Sequence, residues 1–399
     1  MTATVTVRTT TLEVYVHDGV DWQYDSSAYT ASCSFGFDQR VAEATVRRTG
    51  GGTVAVNYWS PIEIRLGTTP GGGAATRFKG YVIPVDNTLF PIEGVLTCKG
   101  TLYRAQWVRN QTELGTVMAD PDTGTPDEAQ VQAVLTTCGV PFTAANIAGT
   151  GKALGSVYGG NPLDAFTPGP WAWGEGEPGL SYVEKVDEVS VPDTADGRYR
   201  TFETLGGDIF RIPMATAPET TPDFTFTEGV DVLEARITRD PAGAANRVTV
   251  TGAPLPSTGV PGVVEAKTFT ATTGFAPYLP PGLPNAPGTG TPGDPDGFPV
   301  VSTSFSSPLI EKEENADPGD VVSCEAVAQF LLAEYNCVID TLEFSTPRDD
   351  LLGPGQTIHL DSPRLGITDP DQHYWLQRLE ITLDEQGAFT QRLTCIRKS

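Results

Sequence analysis

Three histidines, His17, His359 and His373, are the scarcest of the residues that could do chemistry in this chain. A Ser-His-Asp relay would use one of them as its base, but no G-x-S-x-G elbow presents a serine nucleophile. Fifty Asp and Glu side chains make a glycosidase-type pair available by number alone, and no spacing singles out two of them. Asp120-Pro-Asp122-Thr-Gly124 and Asp294-Pro-Asp296-Gly297 look faintly like calcium loops. Neither carries the full ligand run or the closing glutamate of an EF-hand, so both read as turns. Cys33, Cys98, Cys138, Cys324, Cys337 and Cys395 are scattered without a C-x-x-C or a Cys/His spacing that suits zinc. They are expected to be free, mostly buried thiols. The glycine clusters do not stand between a strand and a helix, which excludes a P-loop or a dinucleotide fingerprint. No catalytic, cofactor-binding or metal-ligating residue is assigned, and the chain reads as a non-enzyme.

The elements around these residues are mostly strands. Over residues 1–100, Val5 and Val7, then Leu12, Val14 and Val16, then Val20, Trp22 and Tyr24 alternate with polar residues, as half-buried strands require. Ile62, Ile64 and Leu66 alternate against Glu63 and Arg65. Phe78–Val85 is a further strand, with Gly80 marking a bulge or a close approach. Strands at this spacing predict a small closed or half-closed barrel. Residues 101–215 change character and predict an α+β region. Thr125-Pro126-Asp127-Glu128 reads as a capped helix start; Val131, Val134, Leu135 and Cys138 form its stripe, and Gly139 stops it. The densest readable stretch is Leu180–Ile212. Ser181 and Glu184 spell a capping box, Tyr182, Val183, Val186 and Val189 share a helical face, and Pro192 ends the helix. Strands at 199–204 and 208–212 then flank a Gly206-Gly207 turn. Between the two helices, 149–178 reads as a long ordered loop with Trp171 and Trp173.

Beyond residue 215, Phe224 and Phe226, Ile237–Arg239 and Arg247–Val250 are strand-like. Pro and Gly fill 19 of the 46 positions in 254–299, which predicts an irregular segment, either an exposed loop or one ordered by a neighbouring subunit. Over 300–399, a helix is expected from Asp320 to about Tyr335. Strands are expected at 340–344, 356–360, 374–383 and 389–397, with turns at Pro354-Gly355 and Glu385-Gln386-Gly387.

Composition narrows the function classes. The 399 residues carry a formal net charge of −24, which repels phosphates and excludes nucleic-acid binding through a basic footprint. An apolar fraction of 39% is enough for real cores. The N-terminus alternates without an apolar h-region, and no run approaches the roughly 20 residues of a membrane span. Neither a signal peptide nor a membrane anchor is expected, and synthesis in a cytoplasm is.

The order of elements carries a resemblance. Phe78-Lys79-Gly80-Tyr81-Val82 lies in the first β-segment, and a helix ends on Cys138-Gly139-Val140-Pro141. The Ser181–Val189 helix leads to Tyr199-Arg200-Thr201-Phe202-Glu203. Phe226-Thr-Glu228-Gly229-Val230-Asp231-Val232-Leu233 precedes Arg239-Asp240 and Asn246-Arg247-Val248-Thr249-Val250-Thr251-Gly252, and Leu352-Gly353-Pro354-Gly355-Gln356-Thr357-Ile358 follows near the end. This series resembles the central baseplate hub (tail-associated, or minor tail) proteins of tailed bacteriophages over most of the chain, and fits least at 254–299. The resemblance implies a mainly β fold with α+β insertions: two tail-tube-like β-barrel domains plus an α+β domain with short helices. Residues 1–100 would be one barrel, 101–215 the α+β domain, and 216–253 with 300–399 the second barrel, interrupted by 254–299. It implies a homotrimeric ring at the virion tail tip that adapts a sixfold tube to threefold symmetry and lets DNA pass, assembled in the bacterial host cytoplasm. Distal tail or tube-ring proteins, the tape measure protein, and tip fibre or receptor-binding proteins would be its partners. A carbohydrate- or receptor-binding β-protein using Trp171, Trp173 and 254–299 is the main alternative reading, and an unrecognised hydrolase a third.

Overall fold

A computed structural model describes residues 10–50, 54, 56–67, 74–89, 92–112, 116–118, 125–150, 153–154, 172–190, 199–213, 219–240, 247–256, 264–272, 311–315, 332 and 339–398. The chain is mainly β with short helices, as expected.

The first seven strands are β1 (Thr11–His17), β2 (Trp22–Tyr24), β3 (Ala28–Gly36), β4 (Glu43–Thr49), β5 (Pro61–Gly67), β6 (Ala75–Leu89) and β7 (Ile92–Gly100). They run in the order β3-β4-β7-β6-β5-β1-β2, antiparallel throughout. The alternation read from sequence sets the register: Val14 opposes Ile64 and Val16 opposes Ile62, and all four side chains are buried. A one-residue slip would turn each of them to the other face. β1 also lies against β3, so the sheet curls back on itself. Gly80 is a close approach. A β-carbon there would come within 2.2 Å of the Lys99 carbonyl oxygen on β7.

The middle of the chain holds α1 (Tyr103–Trp107), β8 (Thr116–Val117), β9 (Thr125–Pro126), α2 (Asp127–Thr137), β10 (Ala153–Leu154), β11 (Ala172–Trp173), α3 (Gly179–Val189), β12 (Tyr199–Glu203) and β13 (Ile209–Pro213). The expected α2 stripe of Val131, Val134, Leu135 and Cys138 is buried against Tyr182, Val183 and Val186 of α3, with Leu102 and Ile209 completing a second core. Gly139 ends α2 at φ +66°; its N–H bonds to the Thr136 carbonyl and that of Val140 to Leu135, a Schellman closure. β12 and β13 pair across Gly206 and Gly207 as expected. Both predicted N-caps are overturned. α2 starts at Asp127, not at Thr125, which pairs with Leu154 in a two-stranded sheet. α3 starts at Gly179, which places Ser181 and Glu184 inside the helix without a side-chain cap. The physical reason is where the chain is drawn: Thr125 is held in the β9–β10 pair, and α3 begins two residues before Ser181, so neither hydroxyl stands at a helix end.

The remaining strands are β14 (Phe224–Thr227), β15 (Glu234–Asp240), β16 (Arg247–Pro256), β17 (Val264–Thr272), β18 (Glu311–Asn315), β19 (Ile339–Thr346), β20 (Thr357–Asp361), β21 (His373–Leu383) and β22 (Phe389–Lys398). β21 pairs with β3, so one 13-stranded sheet continues from the N-terminal strands through β21, β22 and β19 to β15, with β20 and the parallel β14 branching from β21. One core follows this seam: Ala31, Cys33 and Phe35 of β3 are buried with Leu379, Ile381 and Leu383 of β21. The buried Arg77 on β6 also crosses it, pairing with Asp349 and donating to the Asp350 carbonyl at 3.1 Å.

The segment 254–299 departs from expectation. β16 runs on to Pro256 and pairs antiparallel with β17, and β18 adds in parallel on the other side. Val-Glu-Ala-Lys-Thr-Phe-Thr-Ala-Thr is a β-rich run inside a window whose average is Pro- and Gly-rich. The calcium-loop-like segments, Cys324 and Cys337 lie outside the described residues. So does the expected 320–335 helix, apart from Leu332, which is helical and buried.

Candidate assembly surfaces

The histidines do not form a relay. His17 closes β1, where its ring meets Trp22 edge-on at 5.5 Å and its Nδ1 accepts the Gly19 N–H. His359 and His373 face one another across β20 and β21. Among the described residues, no group of three or more His, Cys, Asp or Glu is close enough to hold a metal. Cys33, Cys98, Cys138 and Cys395 are free and buried, and burial pushes the Cys33 thiol up to about 12. No helix among them is long and apolar enough to cross a membrane.

The buried carboxylates serve the scaffold. Arg211 of β13 is fully buried. Its Nε pairs with Asp187 of α3 and its Nη1 with Asp127 of α2, both at 2.9 Å, while Nη2 donates to the Ser190 hydroxyl at 2.7 Å. Its guanidinium also lies over the Tyr199 ring, 4.5 Å from the centroid. Arg40, between β3 and β4, reaches Asp187 at 2.6 Å and Glu184 at 3.3 Å. Burial raises the Asp127 carboxyl, but Arg211 and its hydrogen bonds outweigh that and hold it below the usual range. Glu203 of β12 accepts the Ala42 and Leu102 N–H groups at 2.8 Å and the Thr101 hydroxyl at 2.7 Å. Burial still pushes its carboxyl up to about 7. Each of these groups is matched by a partner, so the network joins helices, hairpin and curled sheet. Sequence reasoning missed it because its members are far apart in the chain.

The surface is more telling. The long sheet ends in two short or exposed strands. At one end is β2, with Tyr24 52% exposed beside the half-exposed Trp22 and Val20, 90% exposed, in the turn before it; at the other is β15, preceded by Val230 and by Leu233, 64% exposed. Unpaired strand edges carrying apolar side chains are surfaces that pair with another chain. A second patch lies at the turn before β5 and on α1. Trp59 rests among Tyr81, Tyr103 and Trp107 with ring centroids 5.5–5.8 Å apart, and Tyr58 and Trp107 are 72% and 63% exposed. Trp59 sits at φ +65°, held by its N–H bond to the Val82 carbonyl at 2.8 Å. A bulky residue in the left-handed region costs on the order of 1–3 kcal/mol. The aromatic packing and the flanking β-pairing offset that cost. No sequence motif marks this patch; the Tyr58-Trp59 pair just before Pro61 is its local signal. Trp173, by contrast, is packed, with 3% exposure and its Nε1–H donating to the Glu177 carbonyl at 2.8 Å; Trp171 is outside the described residues.

No protein-family model matches the sequence. No curated protein matches it significantly. Solved structures do match. The tail protein from Neisseria meningitidis MC58 is 10% identical, with a TM-score of 0.54, over 97% of this chain and 96% of that one. The 43 kDa tail protein of prophage MuSo2 from Shewanella oneidensis is 9% identical, with a TM-score of 0.56, over 97% of this chain and 98% of its own. Along almost its whole length, the chain has the fold of phage tail proteins.

Proposed function

We propose that this chain is a structural, non-enzymatic protein of a phage tail tip, the subunit of a homotrimeric ring that closes or continues the tail tube. The observation that carries the reading is end-to-end likeness to tail proteins of almost equal length. The two ends of the long sheet support it. In a head-to-tail ring, the β2 edge of one subunit meets the β15 edge of the next, and the exposed Val20, Trp22, Tyr24, Val230 and Leu233 are covered. The curled N-terminal sheet and the C-terminal strands act as two tube-like barrels per subunit, so three subunits present six. The α+β region lies between them in sequence and outside the ring in space. The net charge of −24 lets DNA pass without sticking to the wall. Neighbouring distal tail or tube-ring proteins, the tape measure protein and tip fibres are the partners, and assembly takes place in the host cytoplasm. Light scattering and negative-stain imaging of one chromatographic peak test this reading directly.

The aromatic patch around Trp59 favours a second reading, recognition of a surface glycan by stacking on exposed rings. It replaces the expected Trp171 and Trp173 surface, since Trp173 is packed. On a glycan array this reading expects binding that is lost in Trp107→Ala. An array without hits removes it.

A further inference from the structure

Outside the surfaces above, His359 and His373 bring two imidazoles together across neighbouring strands. They are direct partners across the antiparallel β20–β21 pair, with ring centroids 5.7 Å apart and planes at 85°. Strand alternation places them away from the core, because Ile358, Leu360, Tyr374 and Leu376 fill the buried face. His373 is 5% exposed and His359 is half-buried, so solvent reaches the pair mainly from the His359 side.

The hydrogen bonds fix the chemistry of both rings. His359 Nδ1 lies 3.2 Å from the Gln372 carbonyl oxygen, and His373 Nδ1 lies 2.8 Å from that of Glu219. A carbonyl oxygen can only accept, so each Nδ1 carries its hydrogen. With Nδ1 so engaged, the nitrogen of each ring that is left to bind a metal is Nε2. No hydrogen bond among the described residues engages either Nε2. Anchoring the far nitrogen on a backbone carbonyl is how metal-binding imidazoles are held in tautomer and orientation. The brace is itself tied down. The Glu219 N–H donates to the Thr357 hydroxyl at 3.1 Å, and Asp223 and Thr357 exchange hydrogen bonds at 2.8 Å.

The spacing suits one ion. With a metal–nitrogen bond of ~2.0–2.1 Å and a ring radius of ~1.1 Å, each centroid stands ~3.2 Å from a shared metal. Centroids 5.7 Å apart would subtend an angle of roughly 125° at an ion shared by both Nε2 atoms, open of tetrahedral. Imidazole nitrogens select zinc, nickel or copper over magnesium or calcium. With no third protein ligand among the described residues, water completes the coordination, and binding is weak and exchangeable.

We propose that His359 and His373 form a two-histidine site for one divalent transition-metal ion, pinning β20 to β21 at the branch of the long sheet.

The test uses the full chain without a polyhistidine tag. Calorimetric titration with Zn²⁺ at pH 7.5 is expected to give one ion per chain with a dissociation constant on the order of 10 µM. Affinity falls at least tenfold in His359→Gln and tenfold or more at pH 5.5, where imidazoles protonate, and is unchanged in His17→Gln. Circular dichroism of His359→Gln verifies its fold. The wild-type chain supplies an independent readout: Cu²⁺ bound at one equivalent shows two imidazole nitrogens in its electron spin echo spectrum. Absence of binding, binding that persists in His359→Gln, or a copper signal with one imidazole or none would overturn the proposal.

Discussion

At the residue scale, this molecule uses its buried charges for construction. Arg211, Asp127, Asp187, Arg40 and Glu184 occupy the region where two helices, a hairpin and the β3–β4 connection meet. Removing a fully buried member, Arg211, Asp127 or Asp187, strands an uncompensated charge, at a cost of roughly 3–5 kcal/mol. Glu203 differs because no cation faces it at salt-bridge distance among the described residues. Its folded-state carboxyl is raised to about 7 by burial, so the folded chain holds a proton that the unfolded chain releases near pH 4.3. The sign follows from linkage. Stability from this group is fully present below the unfolded value and falls as pH rises through about 7, by up to about 3 kcal/mol. Denaturant titrations between pH 5 and pH 8 are expected to show a midpoint that drops more in the wild type than in Glu203→Gln. That substitution lowers stability at pH 5, because its amide turns one acceptor into a donor facing an N–H, but it flattens the slope. Equal slopes in the two proteins would refute this role. None of it was legible locally. Arg40 sits in a stretch without a motif, Glu203 reads only as the end of a strand, and a carboxylate's partner is set by the tertiary fold.

At the element scale, strands were easier to read than helix ends. Val14, Val16, Ile62, Ile64 and Leu66 alternate so regularly that face and register both follow from sequence. The apolar stripes of α2 and α3 were equally plain, and so was the stop at Gly139. The caps were not, because Thr125 is drawn into a two-stranded sheet and α3 starts before Ser181. β17 was hidden for another reason: averaging Pro and Gly over 254–299 masked nine residues of ordinary strand composition. Gly80 was read as a bulge or close approach, and the close approach makes a sharp expectation. In Gly80→Ala, the methyl would meet the Lys99 carbonyl oxygen at 2.2 Å, backbone against side chain, so β6 and β7 must part locally. A loss of about 2 kcal/mol or more is expected in chemical denaturation. A neutral substitution would mean that the two strands are not held at this distance.

At the scale of the whole molecule, fold persists where sequence likeness is gone. Identities of 9–10% accompany coverage above 95% of either chain, because alternating apolar positions tolerate wide exchange among Val, Ile, Leu and Phe. That is why the order of elements could suggest a tail hub while no single motif could. The aromatic patch escaped notice for the complementary reason: Trp59 and Trp107 become neighbours only when α1 folds beside the turn before β5. The ring reading rests on the two ends of one sheet. Charge placed on the β2 edge, as in the Trp22→Lys, Tyr24→Lys double variant, is expected to leave the fold intact by circular dichroism and to shift the assembly to monomer. A double variant that still assembles would move the contact elsewhere.

The most direct test of the central claim is the solution mass of the wild-type chain by light scattering on a sizing column, with negative-stain images of the same peak. A mass of three chains and a threefold ring with an open channel is the predicted result. A compact monomer without a ring, at concentrations where the β2 and β15 edges should meet, would contradict it.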